Sequence, residues 1–204
     1  MSRKMIIVAT GNKDKVKEIK DEIGSSFEML TMKEAGIDVD IDEDGKTFEE
    51  NALKKVRTIK PYIKDKDHTI LMADDSGLCV DALNGAPGIF SARYAGPNAT
   101  YLDNNQKLLD AMKNVPPSKR DAEFVCSIAL IFPDGEEWTC RGVVHGKIAM
   151  DITGHDGFGY DPLFIENQSG LTYAQMSLEE KNKISHRSIA VAKACEKIKS
   201  KINA

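Results

Sequence analysis

Apolar residues fall into two kinds of pattern along the chain: short continuous runs closed by turn residues, and longer stretches in which they recur every three or four positions. The short runs predict strands near 5–9, 69–73, 123–132 and 138–149, and the helical spacing predicts helices near 13–23, 47–63, 101–113 and 186–202. In the first helix Val16, Ile19 and Ile23 stand at i, i+3 and i+7, with Lys15, Lys17 and Lys20 on the other faces, so one stripe can pack on a sheet. The last helix repeats the logic with Ile189, Ala192, Cys195, Ile198 and Ile202. Pro133-Asp134-Gly135 is a turn signal between two apolar runs, which makes 123–149 a hairpin. A hairpin inside an alternating chain predicts an α/β fold with a mixed sheet rather than a purely parallel one.

Composition narrows the class without changing it. At 204 residues the chain fits a single domain over 1–204, long enough to bury a sizeable core. Hydrophobic residues make up 41% and charged residues 29%, the balance of an autonomously folding globular protein. A formal net charge of -4 lacks the basic footprint of sequence-independent nucleic-acid binding, so any phosphate is handled locally. The apolar run Met5 to Ala9 is too short for a signal-peptide core or a membrane span. Cys79, Cys126, Cys140 and Cys195 form no CxxC pair and sit in apolar stretches, the usage of reduced, packed thiols in the cytoplasm.

Three turns carry candidate chemistry. The first runs from strand to helix through Thr10, Gly11, Asn12, Lys13, Asp14 and Lys15. Backbone N–H groups and the helix dipole at such a start attract anions, and Lys15, Thr10 and Asn12 add a charge and hydrogen bonds. It is neither a Walker A loop nor a GxGxxG fingerprint, and taken alone it reads more readily as a capped junction with solvated lysines than as a phosphate site. The second places Asp74 and Asp75 after an apolar run and before Ser76-Gly77, which predicts that the strand ends there. In a continuing strand neighbouring side chains point to opposite faces, so the two acids share one role only if it does end. Carboxylates at a strand terminus suit Mg²⁺; the competing reading is a polar turn. The third is the glycine-rich loop Thr153 to Pro162, predicted to expose Phe158 and Tyr160 for stacking on a base, with Gly159 between them and Asp161 as an acceptor. It is followed by Lys181 and by Ser185-His186-Arg187 at a helix start, where cationic groups and N–H donors collect. The competing readings are a core plug for the aromatics and a solvated first turn for His186-Arg187.

Together these segments resemble the Ham1/inosine triphosphate pyrophosphatase family, the pyrophosphatases of non-standard purine nucleotides. The agreement covers nearly the whole chain: TGN-xx-K at Thr10 to Lys15, T-F-xx-N-A at Thr47 to Ala52, DDSGL-x-VDAL-x-G-x-PG at Asp74 to Gly88, SARYAG at Ser91 to Gly96, GFGYDP at Gly157 to Pro162 and EKN-xx-SHR at Glu180 to Arg187. The resemblance implies a long curved mixed β-sheet flanked by helices, in two lobes with a central cleft, and a homodimer. It also implies Mg²⁺-dependent hydrolysis of ITP, dITP or XTP to the monophosphate and pyrophosphate.

Carried over by position, the resemblance gives the Thr10 to Lys15 turn to the triphosphate and makes Asp75 general base and metal contact. Ser76 would touch substrate and Lys55 would neutralise phosphate charge. The second metal-binding acid falls at Glu43, with Asp42 and Asp44 crowding the same position. Phe158, Gly159, Tyr160, Asp161, Lys181, His186 and Arg187 would form the base and sugar end. One departure is Gln175, where the family often has glutamate. GFGYDP and SHR argue against a Maf-like nucleotide pyrophosphatase, and retention of Asp75, Lys15 and Lys55 argues against a regulatory module that binds nucleotide without turnover.

Overall fold

Six strands form one sheet in the order β2-β1-β3-β4-β5-β6. They are β1 (Met5–Val8), β2 (Glu28–Thr31), β3 (Thr69–Val80), β4 (Asp121–Ile131), β5 (Glu137–Ile148) and β6 (Phe164–Glu166). Among the described residues five α-helices accompany them: α1 (Lys13–Ile23), α2 (Phe48–Ile59), α3 (Tyr101–Met112), α4 (Leu178–Asn182) and α5 (His186–Ile202). β1 pairs parallel with both β2 and β3, while β5 and β6 are antiparallel, so the sheet is mixed as expected. The β4–β5 turn is closed by Phe132 N donating to Glu136 O at 2.9 Å and Gly135 N to Phe132 O at 2.9 Å.

This computed structural model describes residues 5–24 and 27–203. The chain divides into two compact units, the first Met1–Asp75, Cys126–Gly142 and Arg187–Ala204, the second Ser76–Val125 and Val143–His186. In the first unit the strand residues sort by parity. Ile6, Val8, Ile70, Met72, Ile128 and Leu130 pack with Ile19 and Ile23 of α1 and with Val191, Ala194 and Ile198 of α5. Ile7, Leu71, Ala73, Ala129 and Ile131 pack with Ala52, Val56 and Ile59 of α2. Two cores on opposite faces are the signature of a sheet covered on both sides. In the second unit the core includes Leu78, Leu108, Met112, Phe164 and Tyr173, all essentially inaccessible. Arg120 is also buried there. Its guanidinium donates to the carbonyls of Met112, Val115, Ile148 and Ala149, tying the end of α3 to the end of β5.

Several predicted boundaries move for identifiable reasons. α2 stops at Ile59 and passes into a single 3-10 turn, Lys60–Tyr62, because Pro61 has no N–H to continue the helix. On α5 the predicted stripe holds at Ile198, which is buried, and at Cys195, which packs against the core, but the buried face runs through Ala190, Val191 and Ala194 and leaves Ala192 and Ile202 exposed. Arg187 at the start of this face is 2% exposed and engages Glu18 and Asp74, so an ion pair sets the rotation of the helix. β2 and β6 were not anticipated: four and three residues are too few to show alternation. Gln175 closes a capping box, its Oε1 accepting from Thr172 N at 2.9 Å. Among the described residues no helix is long and apolar enough to cross a membrane.

Candidate active site

β3 does not end at Ser76-Gly77. It continues through Asp74 and Asp75 to Val80, so the two carboxylates lie on opposite faces and cannot share one role. Glycine and serine are poor strand formers, but here the neighbouring strands override their preference. Asp74 has the parity of Ile70 and Met72 and faces α1 and α5; Asp75 has the parity of Leu71 and Ala73 and faces α2.

Asp75 is 4% exposed and is held by two side chains from one face of α2, one helical turn apart. Asn51 Nδ2 donates to its Oδ2 at 3.0 Å and Lys55 Nζ to its Oδ1 at 3.1 Å. The same ammonium donates to Asp74 O at 3.0 Å and pairs with Glu43 Oε2 at 3.1 Å. Of the three acids crowding that loop, Glu43 is therefore the one at Lys55, whereas Asp44 pairs with Lys54 on the surface. Burial pushes the Asp75 carboxyl above the ordinary carboxylate range; Glu43 adds to the rise and Lys55 and Lys15 only partly offset it. Burial also opposes the charge on Lys55, but Asp75, Asp74 and Glu43 outweigh it and raise its pKa.

On the other face Asp74 is fully buried. Its Oδ2 lies 3.0 Å from Lys15 Nζ and 3.5 Å from Arg187 Nε, and Arg187 Nη1 pairs with Glu18 of α1. Burial alone would raise the Asp74 pKa, but Lys15, Arg187 and Lys55 together hold the carboxyl far below its usual range. Arg187 is likewise raised: burial opposes its charge and Glu18 and Asp74 prevail. The Arg187 side chain is thus neither a solvated first turn nor open to a base; it is committed to two acids. At the start of α1, Asn12 Oδ1 accepts from Asp14 N at 2.9 Å and Lys15 N at 3.2 Å, and Asn12 N donates to Thr10 Oγ1 at 3.2 Å. Gly11, Lys13 and Asp14 are exposed.

Lys15, Lys55 and Arg187 bring three cations against the four carboxylates Glu18, Glu43, Asp74 and Asp75. That excess of acid, with Glu43 near enough to raise the proton affinity of Asp75, is a setting that a divalent cation relieves. Their oxygens are the hard ligands Mg²⁺ takes, and no group of three or more His, Cys, Asp and Glu among the described residues is arranged to hold a metal. Such a donor set fits an ion that completes its shell with water and phosphate.

The second unit contains the other cluster. Asp161, 2% exposed, accepts at Oδ2 from Phe158 N at 2.8 Å and from Lys181 Nζ at 2.6 Å. Lys181 Nζ also lies over the Phe158 ring at 4.7 Å. Gly157 has φ +76°, and a Cβ there would stand 2.1 Å from Asp161 Oδ2, so only glycine lets the loop close on its own acid. The expected display of two aromatics holds for Phe158, which is half-buried, but not for Tyr160. Tyr160 is 4% exposed and its hydroxyl donates to Ser91 O at 2.8 Å, because a buried phenol needs an acceptor. His186 is buried and stacked on Phe124 at 4.6 Å and 7°. Ser76, the first residue of this unit, is half-buried.

The structure therefore gathers Lys15, Glu43, Lys55 and Asp75 in one unit and Phe158, Asp161 and Lys181 in the other. Asn51 and Glu18 were not among the predicted site residues. Asn51 had a signal in its i, i+4 spacing to Lys55; its Oδ1 also accepts from Gly45 N at 2.8 Å, which holds the acidic loop. Glu18, one of four acids among the four lysines of α1, had none.

The Ham1 family model matches residues 6–197. A dITP/XTP pyrophosphatase of Clostridium perfringens is 47% identical over 199 residues, 96% of this chain and 98% of the relative. One of Caldanaerobacter subterraneus is 50% identical over 195 residues, 95% of each chain. Among solved structures, the Staphylococcus aureus Ham1 protein matches with a TM-score of 0.85 and 39% identity over 97% of this chain and 100% of that one. A nucleoside-triphosphatase / dITP/XTP pyrophosphatase of Mycobacterium abscessus matches with a TM-score of 0.74 and 37% identity over 93% and 98%.

Proposed function

Because the chain belongs to the Ham1 family, we propose that it is a nucleoside-triphosphate pyrophosphatase that hydrolyses ITP, dITP and XTP, removing them before they enter DNA or RNA. The observation that carries this reading is Asp75, a buried carboxylate of raised proton affinity flanked by an ammonium, an amide and a second acid.

The reaction is attack of water on the α-phosphorus. A P–O bond to the water forms, the bond to the departing pyrophosphate breaks, and Asp75 takes the proton. A carboxylate whose pKa is lifted toward neutrality is a better base than a solvated one, while Lys55 keeps it ionised. Asn51 fixes its orientation. Lys15 opposes the charge on the triphosphate with an ammonium that has more donors than Asp74 occupies, and Lys55, whose donors go to Asp74 O, Asp75 and Glu43, opposes it through its charge. Asp75 and Glu43 would hold Mg²⁺, which when bound supplies charge neutralisation at the phosphate oxygens. The Thr10 to Lys15 turn and Ser76 contribute hydrogen bonds.

The base goes to the second cluster. Phe158 offers a ring face, and Lys181 and the donors at the start of α5 suit an acceptor at the purine 6-position. Adenine presents a donor there, and a buried unmatched donor is costly enough to reject it. Guanine shares the 6-oxygen, so its exclusion rests on the 2-amino group. The chain acts as a homodimer in the cytoplasm, where its four cysteines, none in a disulfide, stay reduced.

Pyrophosphate release from ITP, dITP, XTP, GTP, ATP and TTP with Mg²⁺, with Asp75→Asn beside the native protein, tests the reading. Release from the first three, little from ATP and none from the variant is expected. Equal turnover of all six would refute the 6-oxo selectivity and leave the hydrolase; bound nucleotide with no release would make the chain a regulatory module.

A further inference from the structure

The Gly157–Asp161 loop leans on α3. Tyr101 and Asn105 are four residues apart, so their side chains leave the same face of that helix. The Tyr101 ring packs on Phe158 with centroids 6.0 Å apart at 44°, and Asn105 Nδ2 donates to Gly159 O at 2.9 Å. The adjacent Asn104 reaches a second segment: its Oδ1 accepts from Ala95 N at 2.7 Å and its Nδ2 donates to Ala92 O at 3.2 Å. Ser91 in that segment takes the Tyr160 hydroxyl. α3 thus grips the loop directly through Tyr101 and Asn105 and holds the segment that anchors Tyr160.

Asn105 is not explained by stability alone. It is 4% exposed, and its Oδ1 has no hydrogen-bond partner among the described residues. A buried acceptor left unmatched is a cost that an apolar side chain at the same place would avoid. What the amide provides is a fixed height for Gly159, whose left-handed φ of +63° lets the loop backbone bend beside Phe158.

We propose that Tyr101 and Asn105 are positioning residues for base discrimination, holding the Phe158 ring and the Gly159 backbone where the purine edge meets its donors. The proposal rests on the reading of this loop as the base-binding element. Hypoxanthine and adenine differ along one edge, the 6-oxygen and N1–H of the first against the 6-amine and N1 acceptor of the second, and small misplacement of a bound group erodes such selection steeply.

The test measures kcat and KM for ITP and ATP, with a thermal melt, for the native protein, Asn105→Ala, Tyr101→Leu and Phe158→Ala, the last probing the loop itself. Asn105→Ala is expected to raise KM for ITP about tenfold with kcat within about twofold, and to cut the preference for ITP over ATP about tenfold. Tyr101→Leu, at an exposed position that tolerates change, shifts both in the same direction by a smaller factor and decides the matter if Asn105→Ala does not fold. A merely destabilised protein loses active fraction, which lowers kcat and leaves KM alone. If Phe158→Ala loses KM and preference while both α3 variants keep native values or lose only kcat, the positioning role is overturned and the base-loop reading stands. If Phe158→Ala leaves the preference intact, the base-loop reading itself fails and takes the proposal with it.

Discussion

Asp74 and Asp75 are chemically identical neighbours with opposite proton affinities, and strand alternation is the cause. One side chain enters the space between β3, α1 and α5, where Lys15 and Arg187 converge; the other enters the space under α2, where burial and Glu43 outweigh Lys55. Their amide substitutions should therefore diverge. Asp74→Asn leaves the buried Arg187 and the half-buried Lys15 short of an acid and should destabilise the fold by about 3–5 kcal/mol. Asp75→Asn removes a charge that its site disfavours, and stability should stay within about 1 kcal/mol of native or rise while activity disappears. Urea denaturation of both at neutral pH checks this; equal losses would contradict the assignment of the two acids to different faces. At this scale the acid pair was legible in the sequence, and so was Lys55 by resemblance. Glu18 was not, because its partner Arg187 lies far away along the chain.

The long helices were legible because three or more turns of periodic spacing average out local exceptions, and α1 and α5 were predicted to the residue. The continuation of β3 was not, since Ser76 and Gly77 carry a turn preference that only pairing with neighbouring strands reverses. The short turn after β6 shows how an element is closed by a single charge. Glu166 accepts from Gln168 N and Ser169 N, both at 2.8 Å, and although burial alone would raise its pKa, those bonds pull it below the ordinary value. A depressed folded-state pKa stabilises above the unfolded value, about 4.3, and that stability is lost as pH falls through the folded value. Glu166→Gln should thus cost about 1–2 kcal/mol at neutral pH, with the difference from native closing as pH falls below about 4, in thermal melts run across that range.

For the whole molecule, the second unit leaves Phe90, Met150, Ile152 and Leu171 between 43% and 55% exposed, apolar side chains that an interface between copies would cover. Sedimentation should accordingly give the mass of two chains, and Met150→Glu should shift it toward one; a native monomer would remove the dimer from the reading. The amino-acid sequence by itself determined the α/β class, the mixed sheet, the four long helices and, through motif order, the family, because these follow from patterns repeated over many neighbouring residues. Only the tertiary structure decided that the two acids part company, that Arg187 is spent on Glu18 and Asp74, that Tyr160 is a buried anchor and that α3 grips the Gly157–Asp161 loop. Each of these depends on which residues distant in sequence meet across a face, and a side chain's charge state and exposure are properties of that meeting.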